Sequence, residues 1–310
     1  MFRSLRLQYC TNCGFGFALP ELSEEKLNLF YEQRYRAKDS TFYFDSTKAP
    51  KHSYSSVRGS RHFAQLMLGR AFSEFNKGDN FLDIGSGAGG SFRIAKALFT
   101  QPSLHAIEKS EGTKEYNSKY FQAYSHDSLC DFISSGTKAK MLLMSHSLEH
   151  FRLSDLADLF SEIKASLHES GVIVIEVPNV DLRIHKDIRG ADTPHLLFFT
   201  KQSLMLLLDK FNFDVLFIDT CGEEYITQSR DRNLMSGSFF LRIKHILKKQ
   251  FNRLPMNIRN IIRSLNRSIH APKQYINARL REKRIGKLPQ HSYGGNRTCL
   301  RVVARRNLRD

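Results

Sequence analysis

Apolar residues recur along this chain with two different spacings, and the way these alternate sets the expected architecture. Between Ser55 and Asn76, Phe63, Leu66, Leu68, Ala71, Phe72 and Phe75 suit one helix that ends before Gly78. Phe81–Ile84 then reads as a short apolar strand, followed by a glycine-rich turn and an amphipathic helix over Phe92–Phe99. The pattern repeats as strand Leu104–Ile107 with a helix near Thr113–Tyr120, and a weak strand near Phe121–Tyr124. It continues as strand Met141–Met144, helix Leu153–Leu167 and strand Val172–Val177, then helix Gln202–Lys210 and strand Phe213–Ile218. Apolar strands alternating with amphipathic helices predict an α/β, doubly wound, mainly parallel sheet covered on both faces. Such sheets place ligands outside the carboxyl ends of their strands.

The last third breaks the alternation. Phe239, Phe240, Ile243, Ile246, Leu247, Phe251 and Leu254 recur at helical spacing, interleaved with Arg242, Lys244, Lys248, Lys249 and Arg253. After Pro255 the same pattern resumes with Ile258, Ile261, Ile262, Leu265 and Ile269, so basic amphipathic helices are expected. Gly294-Gly295 then makes a turn, and Thr298–Ala304 reads as a final strand. The expected organisation is a Cys-containing N-terminal segment and lid over 1–50 and a ligand-binding core over 51–225. A basic helical insertion over 226–290 separates that core from its last strand within 291–310.

Charge sharpens this division. Residues 241–310 hold 19 Lys and Arg against two acids, whereas residues 1–240 hold 28 bases against 29 acids. A neutral body with one strongly basic segment attracts phosphate, on nucleic acid, lipid headgroups or nucleotide-sugars. With 41% hydrophobic residues the chain has the apolar surface a folded core requires, which excludes a disordered protein. No stretch approaches the roughly 20 apolar residues that cross a bilayer. Met1–Arg6 has no apolar signal region, and five scattered cysteines suggest no disulfide scaffold, so a reduced, cytoplasmic protein is expected. Cys10 and Cys13 have the spacing of half a zinc ribbon, but a closed site needs four ligands and no second pair exists, so no metal is expected.

The strongest local signal is Phe81-Leu-Asp-Ile-Gly85-Ser-Gly87-Ala-Gly89-Gly90, between a strand and a helix. Glycines permit a tight turn and close ligand approach, and helix N-terminal amides face the ligand. Gly85, Gly87 and Gly90 fit the dinucleotide fingerprint G-x-G-x-x-G, with Glu108 18 residues beyond Gly90. Asp83, Gly85, Gly87 and Gly89 equally fit D-x-G-x-G-x-G.

That second pattern resembles motif I of the class I S-adenosylmethionine-dependent methyltransferases, and Asp83 favours it over a nicotinamide site. Ser145-His146-Ser-Leu-Glu149-His150 resembles the family's L-E-H loop beside the transferable methyl, and Gly171–Asn179 resembles its fifth strand and exit. Pro194-His195-Leu-Leu-Phe-Phe through Leu208 is similar to a segment of a bacterial subgroup that modifies cell-surface polysaccharides and sugar nucleotides. That subgroup often opens with Cys knuckles and a Tyr-x-x-x-Tyr stretch like Cys10–Tyr35. The chain departs from the subgroup in lacking a further cysteine pair and in carrying the long basic insertion. His146–His150 also fits H-x-x-E-H, a zinc-protease pattern, but it follows a buried strand directly and has no helical context.

The resemblance implies a Rossmann-like, seven-stranded sheet with an antiparallel last strand, and S-adenosylmethionine as cofactor. It implies that Gly85, Gly87 and Gly89 approach the methionine moiety, with Asp83 at its ammonium and Glu108 on the ribose hydroxyls. Asp127 and Ser128 would sit beside the adenine and Ser145 beside the donor, while Tyr31 and Tyr35 would close over the sulfonium. A hydroxyl acceptor needs a proton acceptor, and His195, then His146, then His150 are the candidates. The implied acceptor is a sugar, nucleotide-sugar or lipid-linked glycan, with an anionic membrane surface as a further partner through 239–290 and no DNA. RNA or quinone-like methylation, and a nicotinamide-dependent oxidoreductase or epimerase, stand as alternatives.

Overall fold

The computed structural model describes residues 2–35, 47–50, 60–185, 194–224 and 288–307. The chain divides into two compact units, Met1–Glu223 with Pro289–Asp310, and Glu224–Leu288. The basic helices expected over 239–269 lie outside the described residues.

The first unit opens with strands β1 (Arg6–Tyr9) and β2 (Gly16–Leu19) and helix α1 (Glu24–Phe30). Helix α2 (Arg61–Phe72) leads into β3 (Asn80–Ile84), α3 (Gly90–Leu98), β4 (Ser103–Ile107), α4 (Glu111–Phe121) and β5 (Tyr124–His126). Next come α5 (Leu129–Ser134), β6 (Ala139–Ser145), α6 (Leu156–Ser166) and β7 (Leu167–Pro178). The unit finishes with β8 (Leu197–Phe198), α7 (Lys201–Lys210), β9 (Phe213–Glu224) and β10 (Arg297–Arg306).

Seven strands form one sheet in the order β5-β4-β3-β6-β7-β10-β9. The pairs β3–β4, β4–β5, β3–β6 and β6–β7 are parallel, and β10 runs antiparallel to β7. This is the doubly wound, mainly parallel sheet the alternation predicted, in the Rossmann-like form the resemblance implied. The chain moves outward from β3 through β4 to β5, then returns to place β6 on the other side of β3. The switch point therefore lies between the carboxyl ends of β3 and β6, the place where such sheets take their ligands.

Alternate residues of the same strands serve two cores. Leu142, Met144, Ile173 and Ile175 pack with Phe160 and Ile163 of α6, while Met141, Leu143, Val172 and Val174 pack with Leu66 of α2 and Phe92 of α3. Burial on both faces explains why these strands read as unbroken apolar runs. Each such side chain contributes about 1.5–3 kcal/mol by leaving water. A second, antiparallel sheet joins β1, β2 and β8, pairing Gly16 with Phe198 and Phe17 with Leu197, and so fastens the N-terminal segment to the chain before α7.

Several boundaries differ from expectation. Helix α2 starts at Arg61, because Ser60 caps it by accepting the Phe63 N–H at 3.1 Å, and it stops at Phe72, where Ser73 turns extended. The weak strand falls at Tyr124–His126 because Phe121 still belongs to α4, which Gln122 ends in a left-handed conformation with φ 52°. Helix α5 was not expected, although Ser128 and Asp131 form the capping box that starts it.

Candidate active site

Strand β3 delivers the chain into the glycine turn at the switch point. Gly85 and Gly89 take left-handed conformations, with φ 79° and 66°. A Cβ at Gly85 would stand 2.8 Å from the Ser147 Cβ, and one at Gly89 would stand 2.4 Å from Phe121 Cε2 and 2.6 Å from Asn117 Oδ1. Both positions require glycine so that the turn can lie against its neighbours. Asn117 of α4 holds the turn from below, donating from Nδ2 to Ser86 Oγ at 3.0 Å and to the Gly87 carbonyl at 3.1 Å. At the end of β4, Glu108 Oε2 accepts the Gly87 N–H at 2.9 Å and Oε1 accepts the Lys109 N–H at 3.1 Å.

Asp83 lies beneath this turn, 1% exposed. Its Oδ2 accepts a short hydrogen bond from Ser91 Oγ in the first turn of α3, and its Oδ1 is buried without a hydrogen-bond partner. Burial lifts its pKa to about 7, against the opposing pull of the Ser91 bond.

The opposite wall follows β6. His146 is left-handed, with φ 54°, and its amide donates to the Glu176 carbonyl at 2.8 Å. Its ring lies between two buried carboxylates, Nδ1 3.2 Å from Glu149 Oε1 and Nε2 3.4 Å from Glu176 Oε1. Cys299 Sγ is 3.9 Å from the same Nε2. Burial opposes charge on this ring, but its bonds to Cys299, Glu149 and Glu176 outweigh that and hold the pKa well above the ordinary imidazole range.

Glu149, 1% exposed, is surrounded by histidines. His195 Nε2 stands 3.9 Å from its Oε1, and the His195 and His150 rings meet edge to face at 5.1 Å. His150 Nδ1–H donates to the Pro194 carbonyl at 2.9 Å, which leaves Nε2 as its acceptor atom. Tyr31 abuts His150 edge to face, with ring centroids 6.4 Å apart. Burial drives the His195 pKa down to about 4 despite Glu149, so this imidazole is neutral at pH 7 and can accept a proton.

Beyond His146 lies an ion-pair floor. Arg301 on β10 sits directly across from Glu176 on β7, fully buried, with Nε 2.6 Å and Nη2 2.5 Å from Glu176 Oε2. Arg61 Nε, from the first turn of α2, reaches Glu176 Oε1 at 3.1 Å. These groups line a cavity of about 570 Å³ with Gln290, Thr298 and Cys299. Helix α2 contributes again through Gln65, whose Nε2 donates to Ser145 Oγ at 2.8 Å while its Oε1 accepts from His62 Nδ1–H at 3.0 Å. Two groups have ligand atoms within 4.8 Å of one another and are able to hold a metal ion: His146, Glu176 and Cys299, and Glu149, His150 and His195.

A family model described as a methyltransferase domain matches residues 58–217, from just before α2 into β9. The chain belongs to that family. It carries a methyltransferase domain. Solved structures with similar folds include a methyltransferase from Archaeoglobus fulgidus, 19% identical over 81% of this chain and 96% of its own, at TM-score 0.43. A cyclopropane synthase from Mycobacterium tuberculosis is 16% identical over 78% and 81%, at 0.42. A phosphoethanolamine N-methyltransferase from Haemonchus contortus with S-adenosylmethionine bound is 14% identical over 94% of this chain and 61% of its own, at 0.45. No curated protein matches.

The methyltransferase's residues fit its donor. Asp83 Oδ1 is a buried acceptor without a donor, suited to an ammonium. A carboxylate has about four acceptor sites, so beside its bonds from Gly87, Lys109 and Ser110 Glu108 retains room for one ribose hydroxyl.

The fold brings His146, His150 and His195 into one cluster around Glu149, next to the glycine turn through Ser147. Ser145 is anchored to Gln65. Asp127 pairs with Lys114 of α4, which pulls its pKa down. Ser128 caps α5, its hydroxyl and amide bonded to Asp131. Tyr35 ends the helical turn Tyr31–Tyr35, and its side chain lies outside the described residues. Arg61, Gln65, Glu176 and Arg301 were missed. For Glu176 and Arg301 the signal was present, since each is a charge inside an otherwise apolar strand run.

Proposed function

We propose that this methyltransferase O-methylates a hydroxyl of a sugar, nucleotide-sugar or lipid-linked glycan. One observation carries the reading. The cavity adjoining the histidine cluster is walled by guanidinium, carboxylate, amide and hydroxyl groups, which suits a polyhydroxyl acceptor and not a quinone-like ring. Bound S-adenosylmethionine supplies an electrophilic methyl on a sulfonium leaving group. Gly85, Gly87 and Gly89 bring the backbone against its methionine part, Asp83 and Glu108 take its ammonium and ribose, and Asp127 and Ser128 border the adenine. Ser145 lines the donor side, while Tyr31 and Tyr35 cover the sulfonium, an attraction of about 0.5–2 kcal/mol.

Holding the acceptor oxygen against the donor contributes about 7–11 kcal/mol. His195 accepts the hydroxyl proton, and the buried Glu149 behind it stabilises the imidazolium that forms. His146, held above the ordinary imidazole range, favours its charged form and lies against Glu149. His150, its ring against His195, orients that base.

Residues 51–225 with 291–310 form the catalytic core, and residues 1–50 its lid. No helix among the described residues is long and apolar enough to cross a membrane. The basic insertion 226–290 holds the enzyme at an anionic inner membrane face, each base near the surface contributing about 1 kcal/mol. The protein should bind liposomes containing anionic lipid at moderate salt, and indifference to them removes the membrane part.

The acceptor is tested by incubating the enzyme with labelled donor and panels of sugars, nucleotide-sugars, RNA and quinols. Mass spectrometry of surface glycans from cells with and without the gene should reveal a difference of one methylene. Label appearing only in RNA or only in quinols overturns the reading.

A further inference from the structure

The charges around Glu176 do not balance. Its Oε2 is saturated by Arg301, and its Oε1 faces both Arg61 Nε at 3.1 Å and His146 Nε2 at 3.4 Å. Two guanidiniums therefore meet this one carboxylate, and one positive charge is left over at the edge of the cavity.

Arg301 cannot present that charge. It is fully buried, and its remaining hydrogen bonds go to the Gln290 carbonyl at 3.0 Å and the Tyr293 hydroxyl at 2.7 Å. Arg61 can. Its side chain is 49% exposed, it lines the cavity, and only its Nε is engaged, which leaves both Nη groups without a partner among the described residues. The other acid on the wall, Glu223, makes no ion pair with Arg61 among the described residues.

We infer that this cavity is an anion subsite, in which the Nη groups of Arg61 grip a phosphate or carboxylate carried by the acceptor away from the methylated hydroxyl. A planar guanidinium fork matches the paired oxygens of either group, and an ammonium would not. The subsite is continuous with the donor turn. Gly85 lies against Ser147, the next residue, His146, touches Glu176, and Glu176 touches Arg61. An acceptor anchored at Arg61 would thus lie along the path from the cavity to the histidine cluster. This inference rests on the proposed sugar acceptor and narrows it to anionic sugars.

The test is calorimetry on the full chain saturated with S-adenosylhomocysteine. The probes are glucose 1-phosphate, glucuronate and the uncharged methyl glucoside. Both anions should bind at least about tenfold more tightly than the neutral sugar and compete with each other, and the tighter of the two identifies the natural group. Arg61→Gln should abolish that preference while the affinity for S-adenosylhomocysteine stays unchanged, which also shows that the variant is folded. Arg61→Lys should retain part of the phosphate affinity and little of the carboxylate affinity. Equal affinity for anionic and neutral sugars, or an anion preference that survives Arg61→Gln, overturns the subsite. If the neutral sugar is methylated without any anion advantage, the subsite fails and the sugar reading stands. If no sugar binds or accepts methyl while the donor binds, both fail.

Discussion

Replacing Arg301 by methionine keeps the length of the side chain and removes its charge. The substitution deletes two contacts to Glu176, at 2.6 and 2.5 Å, and the bonds to Gln290 and Tyr293. What remains is a carboxylate 1% exposed, facing only Arg61 and His146. Stranding one partner of a buried pair costs about 3–5 kcal/mol. For a domain of this size each kcal/mol moves Tm by about 2–4 °C, so Arg301→Met should melt roughly 6–20 °C below wild type. The acid limb should move as well. Burial pushes the Glu176 pKa up, but His146, Arg301 and Arg61 overcome this and hold it at about 2. A depressed carboxylate contributes stability that is present above its unfolded pKa and is lost as pH falls through its folded one. Without Arg301 that loss begins at higher pH. The assay is urea unfolding of Arg301→Met, Glu176→Leu and the double variant, with slopes compared to confirm two-state behaviour. The double variant should recover most of the loss, because two facing apolar side chains leave no stranded charge. A loss under about 1 kcal/mol for Arg301→Met, or simple additivity in the double variant, would refute the reasoning.

Three further outcomes follow from the same geometry. Burial holds His62, His105 and His195 at about 4, below the unfolded value of 6.5, so the unfolded chain binds more protons between those limits. Stability should fall as pH drops from about 6.5 to 4, by up to about 3 kcal/mol per pH unit, three histidines less Asp83, whose raised pKa of about 7 acts in the opposite sense, and urea midpoints that stay constant from pH 7 to pH 5 would contradict this. His195→Asn should lower kcat by about 10²–10⁴-fold with donor affinity intact, and wild-type kcat/KM should stay level down to about pH 5, whereas a fall centred near pH 6.5 would point to a different base. Gly89→Ala, with its Cβ against Phe121 and Asn117, should destabilise by about 1–3 kcal/mol more than Gly136→Ala, which is also left-handed but has open space around it; equal losses in urea unfolding would show that the packing is slack.

Much of the core was legible because its strands are buried on both faces, which writes them as unbroken apolar runs such as Met141–Met144 and Val172–Val177. The glycine turn was legible because its constraint is local, with Asp83, Gly85, Gly87 and Gly89 within one turn between a strand and a helix. The three histidines were found individually, but what distinguishes them was not visible. Glu149 and Glu176 hold His146 above the ordinary imidazole range, whereas burial drives His195 below it despite Glu149, and these positions depend on the ends of two strands. The Glu176–Arg301 pair spans 125 residues and depends on the β7–β10 register, which no local pattern encodes. The small sheet of β1, β2 and β8 escaped notice because its strands run only two to four residues, too short to establish a period. Arg61 and Gln65 were hidden for a related reason: on a helix, a polar residue facing solvent and one facing an active site read alike.

The account depends most on the donor hollow formed by the glycine turn and Glu108. Titrating S-adenosylhomocysteine and NAD separately into wild type and Glu108→Gln by calorimetry tests it directly. The account predicts one S-adenosylhomocysteine per chain, about 10–100-fold weaker binding to Glu108→Gln through loss of a charge-assisted bond to the ribose, and no heat from NAD. Unchanged affinity in Glu108→Gln, or NAD binding more tightly than S-adenosylhomocysteine, would contradict it.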